Sequence, residues 1–237
     1  MPNDQSVSIN KFIAGTGLCS RREADKLLDA GRVTLNGAAA RKGNRVEPGD
    51  KVIVNGKSLT ESDKPPAVYL ALHKPPGVTC TTDRRDKTNI IDFVNYPERI
   101  FPIGRLDKPS TGLILLTNDG DIVNKILRVE NAHDKEYIVT VDKPIDKEFI
   151  RRMAGGLPIL DRVTKKCEVE KLGKRKFRII LTQGLNRQIR RMCEYLGFEV
   201  RTLKRIRIMN VRLDELPVGE YRELRDTELE VLLANTE

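Results

Sequence analysis

Apolar and polar positions along this chain divide it near residue 60. Ile9, Phe12 and Ile13 repeat at helical spacing and stop near Gly15 and Gly17. Ser20-Arg21-Arg22-Glu23 then has the form of a capping box, in which a serine hydroxyl and a glutamate satisfy the first free amides of a helix. That helix continues through Ala24, Leu27 and Leu28 to Gly31. Short β segments follow at 32–35 and 51–54, punctuated by Asn36-Gly37, Gly43-Asn44 and Pro48-Gly49-Asp50. Residues 59–66 are polar, end in two prolines and read as a linker too short for a free tether. The expected organisation is a small domain over 1–58, a linker over 59–66 and a larger domain over 67–237.

From Ala67 onward the pattern mixes the two periods. Residues 68–72 and 112–117 predict strands, and Asn118-Asp119-Gly120-Asp121 caps a helix through Ile122, Ile126 and Leu127. Tyr137, Val139 and Val141 alternate along one strand, and Phe177, Ile179 and Leu181 along another. The clearest helix spans 186–196, with Ile189, Met192, Cys193 and Leu196 as its buried stripe. Arg187, Arg190, Arg191 and Glu194 then take the opposite face. One or two strands in 200–213 and a helix over 227–233 complete the chain. Consecutive strands without regular helical crossovers favour an α+β fold over a doubly wound sheet.

Charge narrows the choice of partner. The 237-residue chain carries a formal net charge of +9, and residues 162–212 hold sixteen Lys or Arg against four acids, a net of +12. Such a concentration suits a polyanion, and nucleic acid is preferred over a membrane because no long basic amphipathic helix is evident. Cys19, Cys80, Cys167 and Cys193 are far apart, as are His73 and His133, so no zinc or triad pattern emerges. The polar opening is no export signal, and no apolar run reaches membrane-spanning length. A cytoplasmic monomer is the expectation.

The candidate chemistry centres on Gly104-Arg105-Leu106-Asp107, followed by Lys108-Pro109-Ser110-Thr111-Gly112 and an apolar strand. An opposite charge within about 4–6 Å favours an ionised carboxylate, and a fixed carboxylate anion can serve as nucleophile or base. Arg105 is the neighbouring guanidinium, and one of the helix arginines is the alternative clamp. Three arginines at one end of a helix repel each other unless anions meet them, and arginine binds phosphate or carboxylate in bidentate fashion. Tyr137 reads either as core or as a platform for an extruded base.

Residues 8–56 resemble the alpha-L RNA-binding motif, through Ser20-Arg21-Arg22-Glu23-Ala24, Gly31-Arg32-Val33 and Val46-Glu47-Pro48-Gly49-Asp50. The resemblance assigns Arg21, Arg22, Lys26, Arg32 and Arg41 to RNA. Downstream, Lys74-Pro75-Pro76-Gly77, Gly104-Arg105-Leu106-Asp107, Lys135-Glu136-Tyr137 and Asn186-Arg187-Gln188-Ile189-Arg190-Arg191-Met192 resemble, in this order, the motifs of the pseudouridine synthases. The alpha-L segment ahead of them resembles the RsuA-type branch. Leu185 departs from the basic residue common there and agrees with a variant acting on large-subunit rRNA.

This resemblance implies an α+β chain whose synthase domain has a mixed, mainly antiparallel β-sheet with flanking helices. It implies isomerisation of a uridine in 23S rRNA, with tRNA a further candidate and the large-subunit precursor the partner, and no metal or organic cofactor. Asp107 would start glycosidic cleavage, by attack on the anomeric carbon or by removing a ribose proton. The uracil would then turn and rejoin ribose through carbon five. Arg105 would hold or replace the flipped base and order the loop beside Asp107, Arg190 would pair with Asp107 (Arg187 being the fallback), and Tyr137 would stack on uracil and take up the proton lost from carbon five. Lys74, Arg187 and Arg191 would contact RNA. A non-catalytic RNA-binding ribosome-assembly protein is the alternative reading. Glycoside hydrolysis is disfavoured because it asks for two carboxylates.

Overall fold

The two-period pattern resolves into two units in the computed structural model of the protein, which describes residues 6–127 and 133–234. Of the expected polar opening over 1–6, residues 1–5 lie outside the described residues. One unit is built on residues up to Ala67 with Pro97–Arg99, the other on Val68–Tyr96 and residues from Ile100 onward.

In the first unit, helices Ile9–Gly15 and Arg21–Asp29 precede an antiparallel sheet of short strands. The second helix starts where the sequence places its cap: the Glu23 amide donates to Ser20 Oγ at 3.2 Å, and the Ser20 amide donates to Glu23 Oε2 at 2.7 Å. Asn36 and Gly37 both take positive φ, 52° and 83°, as the tight hairpin between strands Val33–Leu35 and Ala38–Ala39 requires. Ile9, Phe12, Ile13, Ala24, Leu28 and Val52 form the core. Leu59, expected to open a linker, instead ends the strand Lys57–Leu59 and is buried in that core. Glu61–Asp63 then forms a 3-10 turn. The expected linker is thus largely structure of the first unit, held because Leu59 has apolar surface to bury.

The second unit is a mixed sheet. Its main path runs Glu168–Gly173, Lys176–Leu181, Lys135–Val141, Val200–Ile208, Thr111–Thr117, Tyr69–Lys74 and Tyr221–Glu223. Neighbours are antiparallel except Val200–Ile208 and Thr111–Thr117, which run parallel with Arg205 opposite Gly112. Strand alternation sends Ile114 and Leu116 to one apolar cluster and Leu113 and Leu115 to another. Both faces of this strand are therefore covered, which is why its sequence is a continuous apolar run.

Phe149 and Met153 from helix Lys147–Gly155 pack in the first cluster, with Ile189, Met192 and Cys193 from helix Gln188–Tyr195. Ile122, Ile126 and Leu232, from helices Gly120–Leu127 and Asp226–Ala234, pack in the second. Helix Lys147–Gly155 is not among the elements that the apolar pattern predicts, although Asp146 caps it by accepting from the Phe149 amide at 2.8 Å. Helix Gln188–Tyr195 begins later than the apolar stripe suggests, because Arg187 sits at its N-cap with φ 51°.

Candidate active site

Asp107 stands on the loop between strands Phe101–Ile103 and Thr111–Thr117, and residues on both sides fix that loop. Leu106 is buried and its amide donates to Cys80 Sγ at 3.4 Å. Ser110 is buried, and its amide closes a turn on the Asp107 carbonyl at 2.9 Å. The next carbonyl, that of Lys108, accepts from the Gly77 amide at 2.8 Å and from Lys74 Nζ at 3.3 Å. The carboxylate itself is one-third exposed, at 33%, and faces a cleft of about 890 Å³. Among the described residues lining that cleft it is the only carboxylate. Arg105, Lys108, Lys135, Arg187, Arg190 and Arg205 line the same cleft.

The ion-pair partner of Asp107 comes from the helix rather than from its sequence neighbour. Arg190 Nε lies 3.7 Å from Asp107 Oδ2, Nη2 donates to Ser110 Oγ at 3.1 Å, and Nη1 donates to the Val200 carbonyl at 3.4 Å. Its side chain is only 11% exposed, so Arg190 leaves the solvated face to which helical spacing assigns it. Its Nε is buried without a hydrogen-bond partner. A separation of 3.7 Å is a loose pair, and such contacts tighten when substrate closes the site. Arg105 is exposed at the cleft and is not paired with Asp107 among the described ion pairs.

Tyr137 joins Asp107 in the cleft wall, its ring partly buried against the core. Pairing along the sheet sets Tyr137 opposite Arg205, whose guanidinium carbon lies 6.0 Å from the ring centroid. Sequence reasoning missed Arg205, although it occupies the same strand phase as buried Leu203, an apolar position that an arginine seldom fills without a task.

Lys74, expected to contact RNA, does not reach the surface. It is fully buried, and its ammonium donates to the carbonyls of Pro75 and Val78 at 2.8 Å each, besides that of Lys108. Burial pushes this ammonium below the usual lysine range, while Cys80 and Asp107 pull the other way. It is a strut under the Asp107 loop.

The remaining expected RNA contacts separate into groups. Arg187 is exposed, lines the cleft and lies 3.9 Å from Glu194. Arg191 is half-buried and turns back on Asn186, donating to its carbonyl at 3.1 Å. Arg21, Arg22, Lys26, Arg32 and Arg41 are all exposed on the first unit, the first three along one helix. The +12 segment is less available than its count implies. Arg178 and Arg207 each donate from Nε to buried Glu136 at 2.6 Å. Burial raises that carboxyl, and the two guanidiniums more than offset it, leaving Glu136 below the usual range.

Residues 68–195 match the RNA pseudouridylate synthase family and residues 7–52 match the S4 domain. The chain is 58% identical over 226 residues to the dual-specificity RNA pseudouridine synthase RluF of Escherichia coli (strain K12), covering 95% of this chain and 78% of that protein. It is 37% identical over 235 residues to the ribosomal large subunit pseudouridine synthase B of Bacillus subtilis (strain 168), covering 95% of each. A crystal structure of a pseudouridylate synthase superposes with a TM-score of 0.70 at 31% identity, covering 95% of this chain and 99% of that one.

Proposed function

The chain belongs to the RNA pseudouridylate synthase family, with an S4 domain ahead of the synthase domain, and on that premise we propose that it isomerises a uridine of 23S rRNA, with tRNA as a second substrate. The enzyme is an isomerase acting on RNA. A relative named for the ribosomal large subunit supports the rRNA target, and one named for dual specificity supports two substrates. We further propose that it works in the cytoplasm, as a monomer, on the large-subunit precursor.

The observation that carries this reading is a lone carboxylate, Asp107, paired with Arg190 in a cleft whose other charged lining residues are all cations. The target nucleotide leaves its stack at a cost of a few kcal/mol, which phosphate contacts offset. Asp107 starts cleavage of the glycosidic bond, and Arg190 keeps the carboxylate aimed. Tyr137 stacks on the freed uracil, which turns and rejoins ribose through carbon five; the Tyr137 side takes up the proton lost from carbon five, and N1 gains one in exchange, so the product is an isomer of the substrate. Arg105, exposed at the mouth, holds or replaces the flipped base. Hydrolysis would call for a second carboxylate roughly 5–9.5 Å from the first, and the described lining residues supply none.

The test is to incubate the protein with 23S rRNA and with tRNA, digest the product and quantify both pseudouridine and free uracil. Pseudouridine without released uracil is expected. Free uracil, or no change in either RNA, would overturn the assignment.

A further inference from the structure

Arg205 is the largest unexplained feature of the site. It is 3% exposed, inside the sheet, where a guanidinium is costly unless its donors are used. Its Nε donates to the Leu113 carbonyl at 2.7 Å and its Nη1 to the Arg105 carbonyl at 3.4 Å. The first acceptor lies on the strand that follows the catalytic loop, and the second lies on the loop itself, two residues before Asp107. The guanidinium also sits over the Tyr137 ring. The remaining nitrogen, Nη2, is buried without a partner.

The backbone shows that this meeting point leaves no slack. Arg205 faces Gly112 in the one parallel pairing along the sheet's main path. Gly112 has φ +112°, and a Cβ there would collide with the Arg205 carbonyl. Strand Val200–Ile208 and the strand leaving the catalytic loop therefore approach as closely as glycine alone permits. The strand carrying Tyr137 pairs with the other edge of Val200–Ile208. Arg205 is thus the side chain common to the nucleophile's loop and the stacking platform.

We propose that Arg205 is a positioning residue for the isomerisation, fixing the Asp107 loop and the Tyr137 ring at a set separation so that the freed base turns without leaving reach of the carboxylate. The inference rests on the reading of the cleft as a synthase site. Arg205 acts through the Arg105 carbonyl and the Tyr137 ring, so its loss changes turnover far more than RNA affinity. A displacement of about 1 Å in a reacting geometry costs on the order of 10²-fold in rate.

Arg205→Met and Arg205→Ala test this, with thermal melting, RNA affinity and single-turnover pseudouridine formation measured beside the unaltered protein. Turnover is expected to fall roughly 10²-fold with RNA affinity nearly unchanged, and methylguanidinium is expected to restore part of it to Arg205→Ala. If either variant does not fold, Arg205→Lys is read instead. It keeps the charge but cannot span two carbonyls and a ring, so its turnover should fall while its affinity holds. Full turnover in a folded variant, a loss matched by lost RNA affinity, or no rescue by methylguanidinium would overturn the role of Arg205. An unaltered protein that makes no pseudouridine would instead overturn the synthase reading on which it stands.

Discussion

Lys74→Met probes the support of the catalytic loop. The carbonyls of Pro75, Val78 and Lys108 accept from the Lys74 ammonium at 2.8, 2.8 and 3.3 Å, the Val78 bond buried and the other two partly so. Leaving a buried acceptor unpartnered costs about 1–3 kcal/mol. Against that, the desolvation penalty of the ammonium, several kcal/mol, disappears, and the methionine stem fills most of the space. Two acceptors, Pro75 and Val78, lose their bond, about 2–6 kcal/mol together, and the recovered desolvation leaves a net loss of at most about 3 kcal/mol. In a unit of this size each kcal/mol moves the melting point by about 2–4 °C, so a drop of several degrees, up to about 6–12 °C, is expected in a circular dichroism melt. Turnover should fall as well, because the Lys108 carbonyl beside Asp107 keeps only its bond from Gly77. The salt dependence of RNA binding should not change. A melting point within about 2 °C of the unaltered protein, together with a shallower salt slope, would refute the reasoning and make Lys74 a phosphate contact.

Other expectations follow from the same geometry. Arg190→Met should lower single-turnover rates by roughly 10²-fold with little change in RNA affinity; Arg190→Lys, unable to reach both Ser110 and Asp107, should recover only part. Replacing Arg21 or Arg22 by Gln should each lower the slope of log affinity against log salt by about one. Replacing Arg178, already bound to Glu136, Glu168 and Glu170, should leave that slope unchanged. Burial pushes His73 below its usual value, with Nδ1 donating to the Leu216 carbonyl and Nε2 buried without a partner. The unfolded chain therefore takes up this proton more readily, and stability should fall as pH drops below about 6.5. His73→Gln should lessen that fall without removing it, since burial lowers His133 in the same direction; an unaltered pH slope would contradict the assignment.

Much of this architecture was legible in the chain because local signals and burial agree. Ser20 and Glu23 fix a helix start, Asn36-Gly37 a hairpin, and Tyr137, Val139 and Val141 a strand face. The residues alone offered a helix arginine as an alternative clamp for Asp107, and the family resemblance singled out Arg190, which is 83 positions away and brought near by packing. The burial of Lys74, which the resemblance assigned to RNA, was not legible, because its ammonium finds three carbonyls that only tertiary folding supplies. The count of cations in 162–212 overstated the RNA-facing surface, because Arg178 and Arg207 are used on Glu136, which lies outside that segment. Leu59 shows the same limit: a polar run after it suggests a linker, but one apolar side chain with a core beside it decides the boundary.

Asp107→Asn is the most direct measurement on the central claim. The substitution removes the charge and keeps the shape, so the loop, the cleft and the RNA contacts remain. Pseudouridine formation is expected to fall to background on every substrate the unaltered protein modifies, with RNA affinity essentially retained. An Asp107→Asn variant that still isomerises uridine at the normal rate would contradict the account, because no other described carboxylate lines the cleft to take its place.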